Sequence, residues 1–273
     1  MMQQKHIRPK KRLGQHFLHN SRIIRRIIQS LKLAPGDVVL EIGFGTGALT
    51  REIVGKVQDY IGVEIDTGLH EGMLDLAGPH VLFLNQDILK LELEPLWQKC
   101  SLPGGGFKVV GNLPYYISSP ILQYLARHSS LLSQAVIMLQ AEVADRMTAS
   151  PGTKSYGVLT LVVQYHFRVR ELFPIPPGAF SPAPQIYSKV LELIPLKSRG
   201  FHGKDESGFF QFVKQAFSQR RKTLFNSLKG YRLFSPLRME DHLRDLGYPS
   251  NIRAEALRLG DFMALYRRMK EEE

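Results

Sequence analysis

A β-branched apolar run that ends on three alternating glycines limits this chain more than any other feature. Residues 38–50 read Val-Val-Leu-Glu-Ile-Gly-Phe-Gly-Thr-Gly-Ala-Leu-Thr. Val38 to Ile42 has the composition of a buried strand, Gly43, Gly45 and Gly47 follow, and Ala48-Leu49-Thr50 opens a helix. Glycines in this place let the backbone turn tightly and approach a ligand without Cβ clashes. The next strand, Tyr60-Ile61-Gly62-Val63, ends in Glu64, about 20 residues beyond the loop, where a carboxylate can accept both ribose hydroxyls of a nucleoside. Strand and helix keep alternating through residues 36–145, which implies an α/β domain with a parallel sheet and crossover helices.

Two cofactor classes fit the loop. Read as G-x-G-x-x-A (Gly43, Gly45, Ala48), it could hold a dinucleotide such as NAD. Read as E-x-G-x-G-x-G (Glu41, Gly43, Gly45, Gly47), it looks like the first motif of the S-adenosylmethionine methyltransferases. A third strand, Val81-Leu82-Phe83-Leu84, runs into Asn85-Gln86-Asp87, and an Asp at that strand end can accept from the exocyclic amine of a cofactor adenine. No hydride-transfer site is evident, so the order loop, Glu64, Asp87 favours the methyltransferase reading.

The fourth strand, Phe107-Lys108-Val109-Val110-Gly111, ends in Asn112-Leu113-Pro114-Tyr115. Asn-x-Pro is also an ordinary turn. At the end of this series of strands, though, it carries the parts needed to hold a planar amino group. The Asn112 side-chain oxygen and the Leu113 carbonyl can each accept one hydrogen, Pro114 fixes the turn and removes one N–H, and Tyr115 offers a flat face to a base. Further on, the proline-dense stretch 173–184 makes a stiff extended loop with Phe180 in its middle, a second aromatic face for a base.

Charge is unevenly placed. Residues 1–35 hold nine Lys or Arg and no Asp or Glu, residues 36–196 hold 11 basic and 15 acidic, and residues 197–273 hold 16 basic and 10 acidic, within a net charge of +11. Basic ends on a slightly acidic body attract a phosphate-rich partner. Residues 1–12 form a basic arm, Gly14 to Leu18 breaks it, and Asn20 or Ser21 caps a helix through about Leu31. That helix carries Ile23, Ile24, Ile27, Ile28 and Leu31 on one face and Arg22, Arg25 and Arg26 on the other. From Phe201 the pattern turns to short helices, and Arg220-Arg221-Lys222, flanked by Thr223, Asn226 and Ser227, makes a surface suited to phosphates. With one Cys, Cys100, an internal disulfide and a Cys metal cluster are excluded, and His16 and His19 have no carboxylate at metal-ligand spacing. The absence of an apolar span or secretory leader suits a cytoplasmic protein.

Taken together, these residues resemble the ribosomal RNA adenine dimethyltransferases, specifically the small-subunit enzyme acting on two adjacent adenines near the RNA 3′ end. The likeness runs from Gly14-Gln15-His16-Phe17-Leu18 through Glu41-Ile42-Gly43, Val63-Glu64-Ile65-Asp66, Gln86-Asp87, Asn112-Leu113-Pro114-Tyr115, Met138-Leu139-Gln140, Phe180-Ser181-Pro182 and Arg220-Arg221-Lys222 to Arg253-Ala254-Glu255. The resemblance implies a Rossmann-like S-adenosylmethionine methyltransferase sheet with helices on both faces (residues 1–196) and a small all-α RNA-binding domain (residues 197–273). It further implies that His16 and Leu18 line the methionine end of the cofactor, Gly43 and Gly45 approach it, Glu64 binds its ribose and Asp87 its adenine, with Asn112 also beside it. Asn112 and Leu113 would hold the target amine, Tyr115 and Phe180 would sandwich the base, and Arg220, Arg221 and Lys222 would bind RNA. The expected partner is small-subunit ribosomal RNA in an immature subunit, met by a monomer that needs no metal. The pattern departs at Ala141, Phe225 and Gln185-Ile186-Tyr187, where Lys, Arg and a Lys-Val-Asp pattern are usual; these bear on RNA docking. Two relatives of the enzyme stay open as alternatives: a large-subunit methyltransferase of the macrolide-resistance type and a non-catalytic ribosome assembly factor.

Overall fold

The structure is a computed structural model describing residues 9–10, 13–100, 105–197 and 200–271. Apart from Pro9 and Lys10, the basic arm at 1–12 is covered only outside these residues. The chain divides into two compact units, one formed by 1–144 and 167–195, the other by 145–166 and 196–273.

Among the described residues the first unit has nine strands: β1 (Phe17–Leu18), β2 (Val38–Ile42), β3 (Asp59–Glu64), β4 (Val81–Asn85), β5 (Phe107–Asn112), β6 (Leu132–Gln140), β7 (Phe167–Ile175), β8 (Phe180–Ser181) and β9 (Ser188–Pro195). Seven of them form one sheet in the order β4-β3-β2-β5-β6-β9-β7. From β4 to β6 the strands are parallel, while β9 runs antiparallel between β6 and β7. All five residues of β2 are buried, as a strand covered on both faces requires. The chain winds from β2 outward to β4, then crosses to β5 on the other side of β2. The reversal leaves a crevice beyond the carboxyl ends of β2 and β5, where open α/β sheets take ligands.

Helix Ser21–Leu31 matches its predicted limits. The Asn20 side chain accepts the backbone N–H groups of Arg22 and Ile23, both at 3.1 Å, and satisfies two donors the first turn leaves open. Ile23, Ile24, Ile27 and Leu31 are buried, each contributing about 1.5–3 kcal/mol by leaving water. Gln134 of β6 pins the far end, its Nε2 donating to the Ser30 carbonyl at 3.0 Å and to Glu192 of β9 at 2.8 Å.

Two features differ from the sequence reading. Gly14 to Leu18 does more than end the arm, because Phe17 and Leu18 pair antiparallel with Ser181 and Phe180 of the proline-rich loop. Residues 145–166 also group with the C-terminal helices instead of the sheet. Tyr156, Leu161 and Tyr165 lie in one core with Phe209, Phe212 and Phe262, and the Tyr156 hydroxyl donates to the Leu257 carbonyl at 2.8 Å. The second unit is helical: Val158–His166, Lys204–Ala216, Leu224–Leu228, Pro236–Asp245 and Leu259–Glu271. Among the described residues no helix is long and apolar enough to cross a membrane.

Candidate functional site

A cleft opens at the switch point of the first unit. Its walls bring together Gly43, Glu64, Asp87, Asn112, Tyr115 and His16, six residues that the sequence spreads over four strand ends and the segment before β1. A smaller pocket adjoins it, lined among others by His16, Leu18, Gly43 and Asn112.

The glycine loop follows β2 with Gly43 at φ +70°, Gly45 at +55° and Gly47 at +79°, a region L side chains rarely adopt. A Cβ on Gly45 would stand 3.2 Å from the Phe17 ring, so β1 lies close over the loop. The buried Glu64 carboxylate faces this loop. Its Oε2 accepts the Gly45 N–H at 3.1 Å and its Oε1 the Asp66 N–H at 3.0 Å. Burial pushes its pKa up, and the two backbone donors pull part of the way back. Below the loop, Glu41 is 2% exposed and its Oε2 accepts the hydroxyls of Tyr60 at 2.7 Å and Thr50 at 2.9 Å. Burial raises its pKa to about 7 against the pull of those bonds.

Asp87 stands just beyond the end of β4, where its Oδ1 accepts the Leu89 N–H at 3.0 Å and caps a 3-10 turn. Asn112 ends β5. Its Nδ2 donates to the His16 carbonyl at 2.7 Å, which fixes which end of the amide is oxygen. Next to it, the Leu113 N–H donates to the Met138 carbonyl at 3.2 Å. The Tyr115 hydroxyl is 2.8 Å from Ser188 Oγ, a bond that holds the ring at the cleft wall. Burial raises the Tyr115 pKa.

His16 lines both the cleft and the adjoining pocket. Its Nδ1 lies 2.7 Å from the Pro182 carbonyl and so carries the proton, and its ring stacks on Tyr115 at 5.4 Å between centroids. Phe180 is 3% exposed and packs in the hydrophobic core, where the sequence reading looked for an open aromatic face; pairing β8 with β1 turns it inward.

Residues 7–270 match the family model described as ribosomal RNA adenine dimethylase. The chain belongs to this family. Ribosomal RNA small subunit methyltransferase A of Geobacter metallireducens is 40% identical over 269 residues, 96% of this chain and 96% of that protein. The protein of that name from Aromatoleum aromaticum is 39% identical over 259 residues, 94% of this chain and 93% of the relative. The crystal structure of a dimethyladenosine transferase from Plasmodium falciparum is similar with a TM-score of 0.78 at 26% identity, covering 94% of this chain and 98% of that one. That of the 23S rRNA methyltransferase ErmE gives 0.70 at 25%, covering 93% and 99%.

Membership in the ribosomal RNA adenine dimethylase family sets aside the dinucleotide reading of the glycine loop. Several residues of the dimethylase cleft escaped the sequence reading. Ser188 reaches Tyr115 only because β9 pairs with β6, Gln140 opposite Ser188. Gln15 and Lys10 both bond Asp66, at 2.8 and 2.6 Å, and tie the segment before β1 beside the cleft. Tyr116, more than half exposed, lines the cleft beside Tyr115 and carried no signal beyond its position in the motif. Arg220, Arg221 and Lys222 belong to the second unit, all exposed, in the turn before helix Leu224–Leu228. Arg220 is partly committed there, its Nε pairing with Glu255 at 3.2 Å and its guanidinium donating to the Lys154 carbonyl.

Proposed function

We infer that this chain transfers methyl groups from S-adenosylmethionine to the N6 amines of two adjacent adenosines near the 3′ end of small-subunit ribosomal RNA, giving N6,N6-dimethyladenosine during ribosome biogenesis. The observation that carries the site assignment is the Asn112 amide. With Nδ2 held by the His16 carbonyl, Oδ1 is the end left for the amine, beside the Leu113 backbone.

The cleft fits the cofactor. It gathers Gly43, Glu64, Asp87 and Asn112, residues from four successive strand ends, on one wall set for a nucleoside. Positive-φ glycines leave room on one side. Each Glu64 oxygen keeps a lone pair for a ribose hydroxyl, and Asp87 Oδ2 is the atom for the adenine amine. His16 and Leu18 line the adjoining pocket, where the methionine end would lie. When bound, S-adenosylmethionine supplies an electrophilic sulfonium methyl.

An adenine N6 amine is a poor nucleophile because its lone pair is delocalised into the ring. Asn112 Oδ1 and the Leu113 carbonyl accept its two hydrogens, pull the nitrogen toward tetrahedral geometry and aim its lone pair; such placement supplies several kcal/mol of the barrier. The base must arrive single-stranded or flipped. It stacks on Tyr115, a contact of roughly 1–3 kcal/mol. Phe180, the second aromatic face expected for the base, is buried here. The exposed Arg221 and Lys222, with Arg220, bind RNA phosphates.

The relatives named for the small subunit, at 39–40% identity, favour that branch over ErmE at 25%. We place the reaction in the cytoplasm, on an immature small subunit, by a monomer. The test is methyl transfer from radiolabelled S-adenosylmethionine to immature small subunits, with large subunits and naked RNA alongside. Label on small subunits alone is the expected result. Label on large subunits moves the chain to the resistance-type branch, and no label with cofactor still bound makes it an assembly factor.

A further inference from the structure

Helix Ser21–Leu31 has a second face that the methyl-transfer site does not use. Arg22, Arg25 and Arg26 are exposed on it, no Asp or Glu occurs in the helix, and among the described residues no carboxylate pairs with any of the three. The helix is anchored at the rim of the cleft: it begins just after Leu18, the strand partner of Phe180, and the His19 N–H donates to the Ala179 carbonyl at 3.0 Å.

From that rim the positive charge continues down the flank of the sheet. The Arg26 guanidinium lies over the ring of Phe173 on the edge strand β7, 3.8 Å from its centroid. Register places Phe173 opposite Val190 and Val190 opposite Met138, near the site end of β6, and Arg170 opposite Glu192 at the level of Val136, further down. Arg26, Gln29, Ser30, Lys32 and Arg170 line an open groove there, and Arg168, exposed two residues from Arg170, extends it. Arg170 is tied to Glu192 at 2.8 Å, so the unpaired charge rests on Arg22, Arg25, Arg26, Lys32 and Arg168.

We propose that this tract binds the phosphate backbone of the substrate RNA outside the target pocket, holding the strand that leaves the cleft along the Ser21–Leu31 helix. The surface fits RNA phosphates because forked guanidinium donors match phosphate oxygens and the tract offers cations in a row with one aromatic ring between helix and strand. It rests on the rRNA reading above and adds to it a surface separate from Arg220, Arg221 and Lys222.

The test uses R22Q/R25Q and R22Q/R25Q/R26Q in the full chain, with filter binding to naked small-subunit RNA and to small subunits over a range of salt. S-adenosylmethionine affinity is measured alongside, and the double variant keeps the Arg26–Phe173 contact in case the triple one is unstable. The expected result is unchanged cofactor affinity and about tenfold weaker RNA binding near 0.1 M salt. The slope of log K against log salt should fall in magnitude by about 2 for the triple variant. Unchanged RNA affinity and slope overturn the proposal. So does a loss seen with whole subunits but not with naked RNA, which would make the tract a protein contact. A wild-type chain that binds RNA but methylates none sinks the methyl-transfer reading and leaves the slope result to decide the tract.

Discussion

The Asn112 side-chain amide donates to the carbonyl of His16 at 2.7 Å, joining the end of β5 to the segment just before β1. This one bond sets the polarity of the amide at the cleft. Asn112→Ala removes the acceptor for the target amine and should lower kcat by about 100-fold or more, with S-adenosylmethionine affinity within about twofold of wild type. Asn112→Asp sets a carboxylate oxygen against the His16 carbonyl and should lose turnover as well. Single-turnover methylation beside calorimetric cofactor titration separates the two effects; unchanged turnover in the Ala variant would remove Asn112 from amine binding.

Asp87 keeps one carboxylate oxygen on the Leu89 N–H. Asp87→Ala removes both that cap and the proposed adenine contact, and cofactor affinity should fall by about tenfold, near 1.4 kcal/mol. Asp87→Asn keeps a capping oxygen and separates the two losses. If its affinity matches wild type, the adenine role is wrong.

Arg220 already pairs with Glu255, whereas Arg221 and Lys222 are exposed. Neutralising all three should reduce the salt slope of RNA binding by about 1.4–2, the value for two to three phosphate contacts. A slope equal to wild type makes the run a solvated surface.

Glu41 gives a pH signature. Its folded pKa, about 7, is raised above the 4.5 of the free side chain, so the fold favours the protonated acid. The stability this contributes is fully present below about pH 4.5 and is lost as pH rises through 7. Glu41→Gln keeps an acceptor for Thr50 and Tyr60 and removes the titration. Between pH 4.5 and 8 the variant should gain about 3 kcal/mol relative to wild type. Denaturant midpoints at several pH values measure this, and parallel curves for the two proteins would contradict a buried, titrating Glu41.

Much of the first unit was legible because its strands are buried on both faces. Val38–Ile42 shows this as an unbroken apolar run, and Ser21–Leu31 shows a helical period of isoleucines behind a capping Asn20. The cleft residues could be ordered along the strand ends because parallel topology puts successive carboxyl ends on one edge. What escaped depends on pairing between distant segments. Nothing local in Phe17-Leu18 says that it will meet Phe180 and Ser181, so the burial of Phe180 does not show in the sequence. Tyr156, Leu161 and Tyr165 are equally apolar for either core, and only the folded chain assigns them to the helical unit. The His16–Tyr115 stack is also invisible in sequence, since it joins residues far apart along the chain.

The central claim is the identity and place of the product, and it is tested by mass spectrometry of nuclease fragments from unmethylated small subunits incubated with the protein and S-adenosylmethionine. The predicted result is one fragment near the RNA 3′ end carrying two adjacent N6,N6-dimethyladenosines, absent when Asn112→Ala replaces the wild type. Methylation confined to another position, to another atom of the base, or to large-subunit RNA would contradict it.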